Sequence, residues 1–288
     1  MLELHCHTTY SDGTLTPGEL VEAAIAAGVK ALAITDHDTV SGWNEAFAAA
    51  GQRLEIVPGV ELSTVHNGRS LHILGFYPDA AKLSEPLSLR LEGRKRRAKQ
   101  MAANLAEMDY PIELPNLGEG MAPGRPHLAT ALVRAGYVHS AREAFDRFLG
   151  DGCPAYVHYE KFSIVEGIEL LRSSGAVPVW AHPYLFRGGD VEVVLQELIA
   201  AGLMGVEVYH PSHTPSETKK LETFCAQHGL LMTGGSDYHG PIPGIKDKHS
   251  STLNLLNLPL NLLEPVKQAS ERLRARAGIR FVKRQYLG

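Results

Sequence analysis

The chain has 288 residues, 44% of them hydrophobic and 21% charged, with a mean hydropathy of −0.10, so it can bury a sizeable core and has no reason to be disordered. With 28 Lys and Arg against 32 Asp and Glu, the formal charge is −4, which argues against a general nucleic-acid coat or an anionic membrane surface while still allowing a local basic patch. Three widely spaced cysteines, Cys6, Cys153 and Cys225, form no C-x-x-C pair and imply neither a disulfide framework nor a thiolate zinc site.

Met1-Leu2-Glu3-Leu4-His5 already reads as a strand and leaves no room for the charged and apolar regions of a secretory signal. No apolar run approaches the roughly 18 residues of a membrane span. The expectation is a soluble, cytoplasmic protein that needs no membrane and no stable protein partner. Alternation along the first strand puts His5 and His7 on one face and Leu2, Leu4 and Cys6 on the opposite, apolar one, so Cys6 reads as core.

Thr16-Pro17-Gly18-Glu19 is a capping box with Pro at the first helical position, and its helix stops at Gly28 before the strand Ala31–Ile34. Ile56–Val60 is the next strand, and His72 lies within the one after it. Between roughly Pro86 and Glu160 this alternation stops. Two helical stretches, Pro126 to Ala135 and Ala141 to Leu149, sit among Gly- and Pro-rich turns there, which predicts a small helical subdomain (86–160) inserted as a lid into a domain made of 1–85 and 161–288.

The alternation returns at Ser163-Ile164-Val165-Glu166, another capping box, followed by Gly175 and the strand Val177–Trp180. Asp190 opens a helix ending near Gly202 before the strand Gly205–Tyr209, and Thr214-Pro215-Ser216-Glu217 opens one ending at Gly229 before Leu230–Met232. Leu263 to Ala277 reads as a closing helix. Short apolar strands alternating with helices predict parallel strands covered by helices, an α/β barrel or doubly wound sheet, whose active site forms at the C-terminal strand ends.

The ends of those strands carry metal-ligand residue types one after another: His5 and His7 with Asp12, His37, Glu61, His72, His182, and Asp237 with His239. One zinc takes about four ligands, and a catalytic zinc only about three from protein, so these nine residues are too many for one ion. They suit three divalent ions if Glu61 and Asp237 bridge or chelate. Imidazole and carboxylate without thiolate favour Mn, Fe or Zn, with Mn taken first.

His5-x-His7 with Asp12, Thr35-Asp36-His37-Asp38, Gly59-Val60-Glu61, Ala181-His182-Pro183 and Gly235-Ser236-Asp237-Tyr238-His239 resemble the motif signature of the PHP (polymerase and histidinol phosphatase) family of metal-dependent phosphoesterases. That resemblance implies a distorted (β/α)7 barrel with three metals at its mouth. It allots His5, His7, Glu61 and Asp237 to one ion, Glu61, His72 and His182 to a second, and Asp12, His37 and His239 to a third.

The run Arg94-Lys95-Arg96-Arg97-Ala98-Lys99 is either a solvated helix face or a phosphate grip. Arg125-Pro126-His127 opens a helix whose N-terminus favours an anion, unless Arg125 caps a neighbouring loop instead. His210 and His213 come after a strand end and either meet phosphate, donate a proton or hydrogen-bond within their loop. His66, His139, His158, His228 and His249 read as structural or surface residues.

Gly93-Arg94-x-x-Arg97-Ala98-x-Gln100-Met101 and Gly124-Arg125-x-His127 are similar to the PHP subgroup of nucleoside 3′,5′-bisphosphate phosphatases and 5′–3′ exoribonucleases. The resemblance implies hydrolysis of one phosphate, most readily the 3′-phosphate of a small bisphosphorylated nucleotide, while Arg94, Arg97 and Arg125 hold the other. A hydroxide shared by two ions would attack phosphorus in line, with Asp36 and His210 the candidates for protonating the leaving group, Asp36 otherwise orienting a histidine. A 5′–3′ exonuclease on short 5′-phosphorylated RNA and a histidinol-phosphate-like phosphatase are the alternatives. An amidohydrolase and a non-catalytic module are rivals the motif set disfavours.

Overall fold

In chain order the protein forms β1 (Leu2–Glu3), α1 (Pro17–Ala26), β2 (Ala31–Ile34), α2 (Trp43–Ala50), β3 (Glu55–His66), β4 (Arg69–Phe76), α3 (Ala80–Glu107), α4 (Arg125–Arg134), α5 (Ala141–Ala144), β5 (Phe162–Ser163), α6 (Ile164–Ser173), β6 (Val177–Trp180), α7 (Val191–Ala201), β7 (Gly205–Tyr209), α8 (Pro215–His228), β8 (Leu231–Gly234) and α9 (Leu263–Arg276). The computed structural model describes residues 1–114, 120–241 and 252–279, so His249 and the tail beyond Ile279 lie outside the described residues. Among the described residues, no helix is long and apolar enough to cross a membrane.

Local chemistry starts the helices. Thr16, Ser163 and Thr214 each close a reciprocal capping box, with Glu19, Glu166 and Glu217, and Asp190 accepts from Glu192 N and Val193 N at the start of α7. Each capping box satisfies two backbone donors that the first turn of a helix leaves without partners.

The chain divides into two compact units, Met1–Glu85 with Lys161–Gly288, and Pro86–Glu160. In the first, seven strands pair in the order β1-β2-β3-β4-β6-β7-β8, with β5 pairing to β3 off this path. Backbone bonds from Leu4 N to Gly234 O (3.3 Å) and from His7 N to Tyr238 O (2.8 Å) join β8 and the segment after it to the chain that follows β1 and nearly close the barrel. The expected distorted seven-stranded barrel is therefore present.

Its distortion corrects the expectation of parallel strands throughout, since β4 runs antiparallel to both β3 and β6. The cause is the turn Asn67-Gly68, with φ values of 48° and 70°. Two successive positive φ angles match a two-residue hairpin turn, which can only reverse the chain. The β3–β4 ladder then pairs Ser63 with His72 and Glu61 with Leu74.

Alternate residues of β2 face two different cores. Ala31 and Ala33 pack with Val57, Leu74, Phe76, Val177 and Val179 and with Leu263, Val266 and Leu273 of α9, while Leu32 and Ile34 pack with Leu20, Val21 and Ala24 of α1 and Trp43 and Ala46 of α2. Burial on both faces is why these strands read as continuous apolar runs. The first strand departs from the strict alternation its sequence predicts. Leu2 and Leu4 join the first of these cores and Cys6 the second, because regular pairing ends at Glu3 and the alternation breaks before His5. Cys6 is nonetheless a fully buried core residue.

The Pro86–Glu160 unit has its own core, in which Ala98, Met101 and Leu105 of α3 pack with Leu128, Ala129 and Leu132 of α4 and with Phe148 and Leu149. Helix α3 continues through Pro86 rather than stopping there, and α5 runs on as a π-turn over Phe145–Leu149.

Gly68 has open space around its Cβ position, so only its backbone angle resists substitution. Gly68→Ala is expected to lower stability by about 1–2 kcal/mol, the cost of a left-handed conformation for an L-residue, read as a lower urea midpoint at unchanged slope. An unchanged midpoint would contradict the turn described for the hairpin.

Candidate metal centre

The carboxylate of Glu61, on β3 and about 1% exposed, faces five imidazoles: Oε2 lies 3.3 Å from His5 Nε2, 3.2 Å from His7 Nε2 and 3.1 Å from His37 Nδ1, while Oε1 lies 2.9 Å from His72 Nδ1 and 3.1 Å from His182 Nε2. His5 and His7 come after β1, His37 after β2 and His182 after β6, the strand ends at which an α/β barrel builds its site. His72 reaches the same place from the first half of β4, because an antiparallel strand begins where its parallel neighbours end.

Two further carboxylates complete the set. Asp237 Oδ1 lies 3.3 Å from His5 Nε2 and 3.1 Å from His7 Nε2, and Asp12 Oδ1 lies 3.3 Å from His239 Nε2. All nine residues singled out in the sequence are thus brought together. They form four overlapping groups whose ligand atoms lie within 4.8 Å of one another: His7, Asp12, His37 and His239; His5, His7 and Glu61; His5, His182 and Asp237; and His37, Glu61 and His72. These groups cut across the allotment implied by resemblance, since His182 joins His5 and Asp237 and His37 also joins Glu61.

Does a cation fit? His5 Nε2, His7 Nε2, His37 Nδ1, His72 Nδ1 and Asp12 Oδ1 are buried and lie within ion-pair distance of an opposite group, yet none is aligned as a hydrogen bond. Each such atom costs about 1–3 kcal/mol if left so, and to concentrate them in one place is sensible only if something accepts their lone pairs. Nitrogen and carboxylate oxygen without sulfur fit a divalent ion of the Mn, Fe or Zn kind. In the protein alone, burial would raise the Glu61 carboxyl, but His37, His72 and His5 hold it well below the usual carboxylate range. Burial would lower the His7 imidazole, but Asp237 and Glu61 hold it up at about 10. For His37 burial prevails, and its pKa falls to about 3.

Backbone strain collects at the same strand ends. Asp38 (φ 52°), His182 (φ 34°) and Asp237 (φ 54°) all adopt left-handed conformations, which cost non-glycine residues on the order of 1–3 kcal/mol. Asp38 is held by Ser63 N donating to its Oδ1 and by its own N–H donating to Glu61 O.

Around these residues lies a ring of polar partners. Asp36 is buried, and it accepts from Thr8 N (2.7 Å), Thr8 Oγ (2.7 Å) and Ser11 Oγ (2.6 Å), with Ser11 Oγ also 3.3 Å from His7 Nδ1. This geometry suits a residue that holds the Thr8–Ser11 loop and, through it, His7. Sequence reasoning missed Glu207, a fully buried acid of β7 bonded to His5 Nδ1 and to the His182 backbone. It also missed Ser70, which lies 3.2 Å from His72 Nε2 and accepts from Lys161 Nζ at 2.8 Å. Glu207 had a signal, a lone acid between Val206 and Val208. Ser70 and Lys161 had none.

His210 sits at the edge of the cluster, with Nε2 3.8 Å from Asp237 Oδ2 and Nδ1 2.7 Å from Ser212 Oγ. His213 Nδ1 donates to Val208 O at 2.9 Å, the loop bond that was one of its expected roles.

The Pro86–Glu160 unit places the basic residues unevenly. Arg94 is buried, Arg97 is partly buried, and Arg96 and Lys99 are exposed, so the run is not one solvated face. Arg97 Nε donates to Val157 O, and its guanidinium lies over the rings of Tyr156 (5.4 Å) and Tyr159 (4.9 Å). Burial, then the neighbouring Arg125, pushes its pKa down to about 10. Arg125 donates to Leu149 O and Asp151 Oδ1 (2.9 Å) and so also caps that loop. His127 Nδ1 accepts from Gly124 N at 3.0 Å, which gives the ring a helix-capping role.

Known proteins point the same way. Residues 3–134 match the PHP domain family. A 5′-3′ exoribonuclease of Haemophilus influenzae is 35% identical, covering 83% of this chain and 90% of that protein. A 3′,5′-nucleoside bisphosphate phosphatase of Chromobacterium violaceum is 34% identical over 85% of this chain and 90% of its own. Among solved structures, a chain from Bifidobacterium adolescentis assigned as a metal-dependent phosphoesterase superposes with a TM-score of 0.81 at 34% identity, covering 93% of this chain and 96% of that one.

Because the His7 pKa is raised to about 10, its ring carries a proton at neutral pH in the protein alone and must lose it to offer Nε2 to a cation. Chelator-stripped protein is therefore expected to release protons on binding Mn²⁺ near pH 7 and to bind more weakly as pH falls. Titration calorimetry in two buffers of different ionisation enthalpy checks this, and equal heats in both would contradict it.

Proposed function

The chain belongs to the PHP domain family, and from that premise we propose that it is a metal-dependent phosphoesterase that removes the 3′-phosphate of a nucleoside 3′,5′-bisphosphate. The observation that carries this reading is the convergence of nine imidazole and carboxylate residues, several with buried atoms left unpaired, at one end of the barrel. The proposed centre holds three divalent ions, manganese first, on His5, His7, Asp12, His37, Glu61, His72, His182, Asp237 and His239. When bound, such ions supply charge neutralisation at phosphoryl oxygens and water acidified enough to attack near neutral pH.

The chain's own residues supply the rest. Glu61 and Asp237 keep the imidazoles facing a common point. Asp36 holds the Thr8–Ser11 loop, through which Ser11 meets His7. His210, whose Nε2 is buried without a hydrogen-bond partner, is assigned the proton for the leaving oxygen, and His213 the support of its loop. Arg94, Arg97 and Arg125 are assigned the phosphate that is not cleaved, with His127 shaping the helix start beside Arg125. No serine or cysteine nucleophile is required.

A second reading, 5′–3′ hydrolysis of short 5′-phosphorylated RNA, is favoured by the name of the Haemophilus influenzae relative. The two differ in what lies beyond the first nucleotide. The manganese-loaded chain is assayed for phosphate release from adenosine 3′,5′-bisphosphate, from histidinol phosphate and for cleavage of a 5′-phosphorylated RNA oligomer, with His5→Ala as blank. Release chiefly from the bisphosphate is the expected result, and cleavage chiefly of the oligomer would move the assignment to the exonuclease. Arg97→Ala is expected to lower kcat/KM on the bisphosphate about tenfold to a hundredfold, the worth of a hydrogen bond to a charged group, while metal content stays unchanged. Unaltered kcat/KM would remove Arg97 from the substrate.

A further inference from the structure

Glu207 is a fully buried acid in a strand that is otherwise Gly-Val-x-Val-Tyr, and both of its oxygens are committed to candidate ligands. Oε1 lies 2.9 Å from His5 Nδ1, and Oε2 accepts from the backbone N–H of His182 at 2.8 Å. An ionised carboxylate can only accept, so the His5 Nδ1 atom must carry a proton and donate it. With that proton fixed on Nδ1, Nε2 is the nitrogen left to offer a lone pair to a cation at the point shared with Glu61 and Asp237, each 3.3 Å away.

The second bond acts on a different kind of problem. His182 adopts φ 34° and ψ 61°, a left-handed conformation at the end of β6 that a histidine does not favour. Its N–H is tied to Glu207 across the β6–β7 pair, and its Nε2 points at Glu61 Oε1, 3.1 Å away. One carboxylate therefore sets the protonation site of a ring after β1 and the backbone of a residue after β6.

We propose that Glu207 is a positioning residue that couples two ligand positions, fixing His5 as the Nδ1–H tautomer and His182 in its left-handed conformation, so that they offer their Nε2 atoms together. This rests on reading the cluster as a metal centre. Glu207 acts through these two residues, because both of its oxygens are engaged by protein donors.

The test is Glu207→Gln in the full chain. The carboxamide has one accepting oxygen and one donating nitrogen, so only one of the two donors can be satisfied. A ring proton can move to the other nitrogen and a backbone proton cannot, so the oxygen stays with His182 and the amide nitrogen faces His5. The His5 proton is then driven to Nε2, which removes the lone pair the cation needs.

The expected result is a chain that folds, with the melting temperature of the chelator-stripped form close to that of stripped wild type, but with Mn²⁺ affinity lowered about 10–100-fold, the usual effect of losing such a partner. Nitrogen NMR of ¹⁵N-histidine-labelled, stripped protein, taken to a pH high enough to leave the His5 ring neutral because, against the lowering effect of burial, its neighbouring carboxylates hold its pKa well above the ordinary value, should show His5 as Nδ1–H in wild type and Nε2–H in the variant. Glu207→Asp, which keeps both accepting oxygens, should retain the Nδ1–H form and recover part of the affinity. Wild-type affinity in Glu207→Gln, or equal losses in both variants with the His5 tautomer unchanged, would overturn the proposal. If wild-type protein itself takes up no Mn²⁺, the metal-centre reading falls first, and normal wild-type uptake keeps the two failures apart.

Discussion

One buried carboxylate facing five imidazoles is the constraint to which the rest of the barrel answers. Glu61 is about 1% exposed, and the rings around it come from the chain after β1, after β2, within β4 and after β6. Left to itself, such a cluster is costly, because desolvated polar atoms without partners cost free energy and like-charged imidazolium rings repel. It persists because β2 and β3 are buried on both faces by two separate apolar cores, one of which also takes in β4 and β6, and these cores fix the backbone independently of the polar end. The apolar half of the barrel thus stabilises the polar half, and a cation would relieve what strain is left.

The antiparallel strand β4 is where the barrel is bent to this purpose. Among strands that all run one way, inward-facing residues near the mouth come only from strand C-termini. Reversing β4 through Asn67-Gly68 lets the first half of a strand reach the mouth as well, and His72 uses that position. The long β3 makes this possible by extending past Glu61 to His66. Glycine serves the same end nearby. A Cβ on Gly59 would lie 2.8 Å from Thr35, and one on Gly235 would lie 2.5 Å from the backbone of His5, so the segments that carry ligands can approach only because these residues have no side chain.

Much of this was legible in the sequence for definite reasons. Helix starts were written in reciprocal capping boxes, helix stops in Gly28, Gly175, Gly202 and Gly229, all with positive φ, and the ligand set in imidazoles and carboxylates placed directly after apolar strands. Two kinds of feature were not legible. Asn67-Gly68 is a strong hairpin signal, but the strand-helix alternation on either side masks it by suggesting a parallel arrangement throughout. The break in alternation between Leu4 and His5 and the bond from Lys161 to Ser70 carry no local signal at all. They are set by which strand lies next to which, while the pairing of Arg125 with Asp151, residues 26 apart in the chain, is set by how the helices of the Pro86–Glu160 unit pack.

The seam between the segment after β8 and β1 has a temporal meaning as well as a spatial one. His7 N bonds to Tyr238 O, and His5 and His7 meet Asp237 there, so the first candidate ligands to leave the ribosome wait for nearly the last. Synthesis is vectorial, and a nascent chain that stops short of Asp237 has its early histidines but not the acid that unites them. Assembly of the candidate centre is thereby tied to synthesis past Asp237 and His239, and a product terminated before them would be born without the full set of imidazoles and carboxylates.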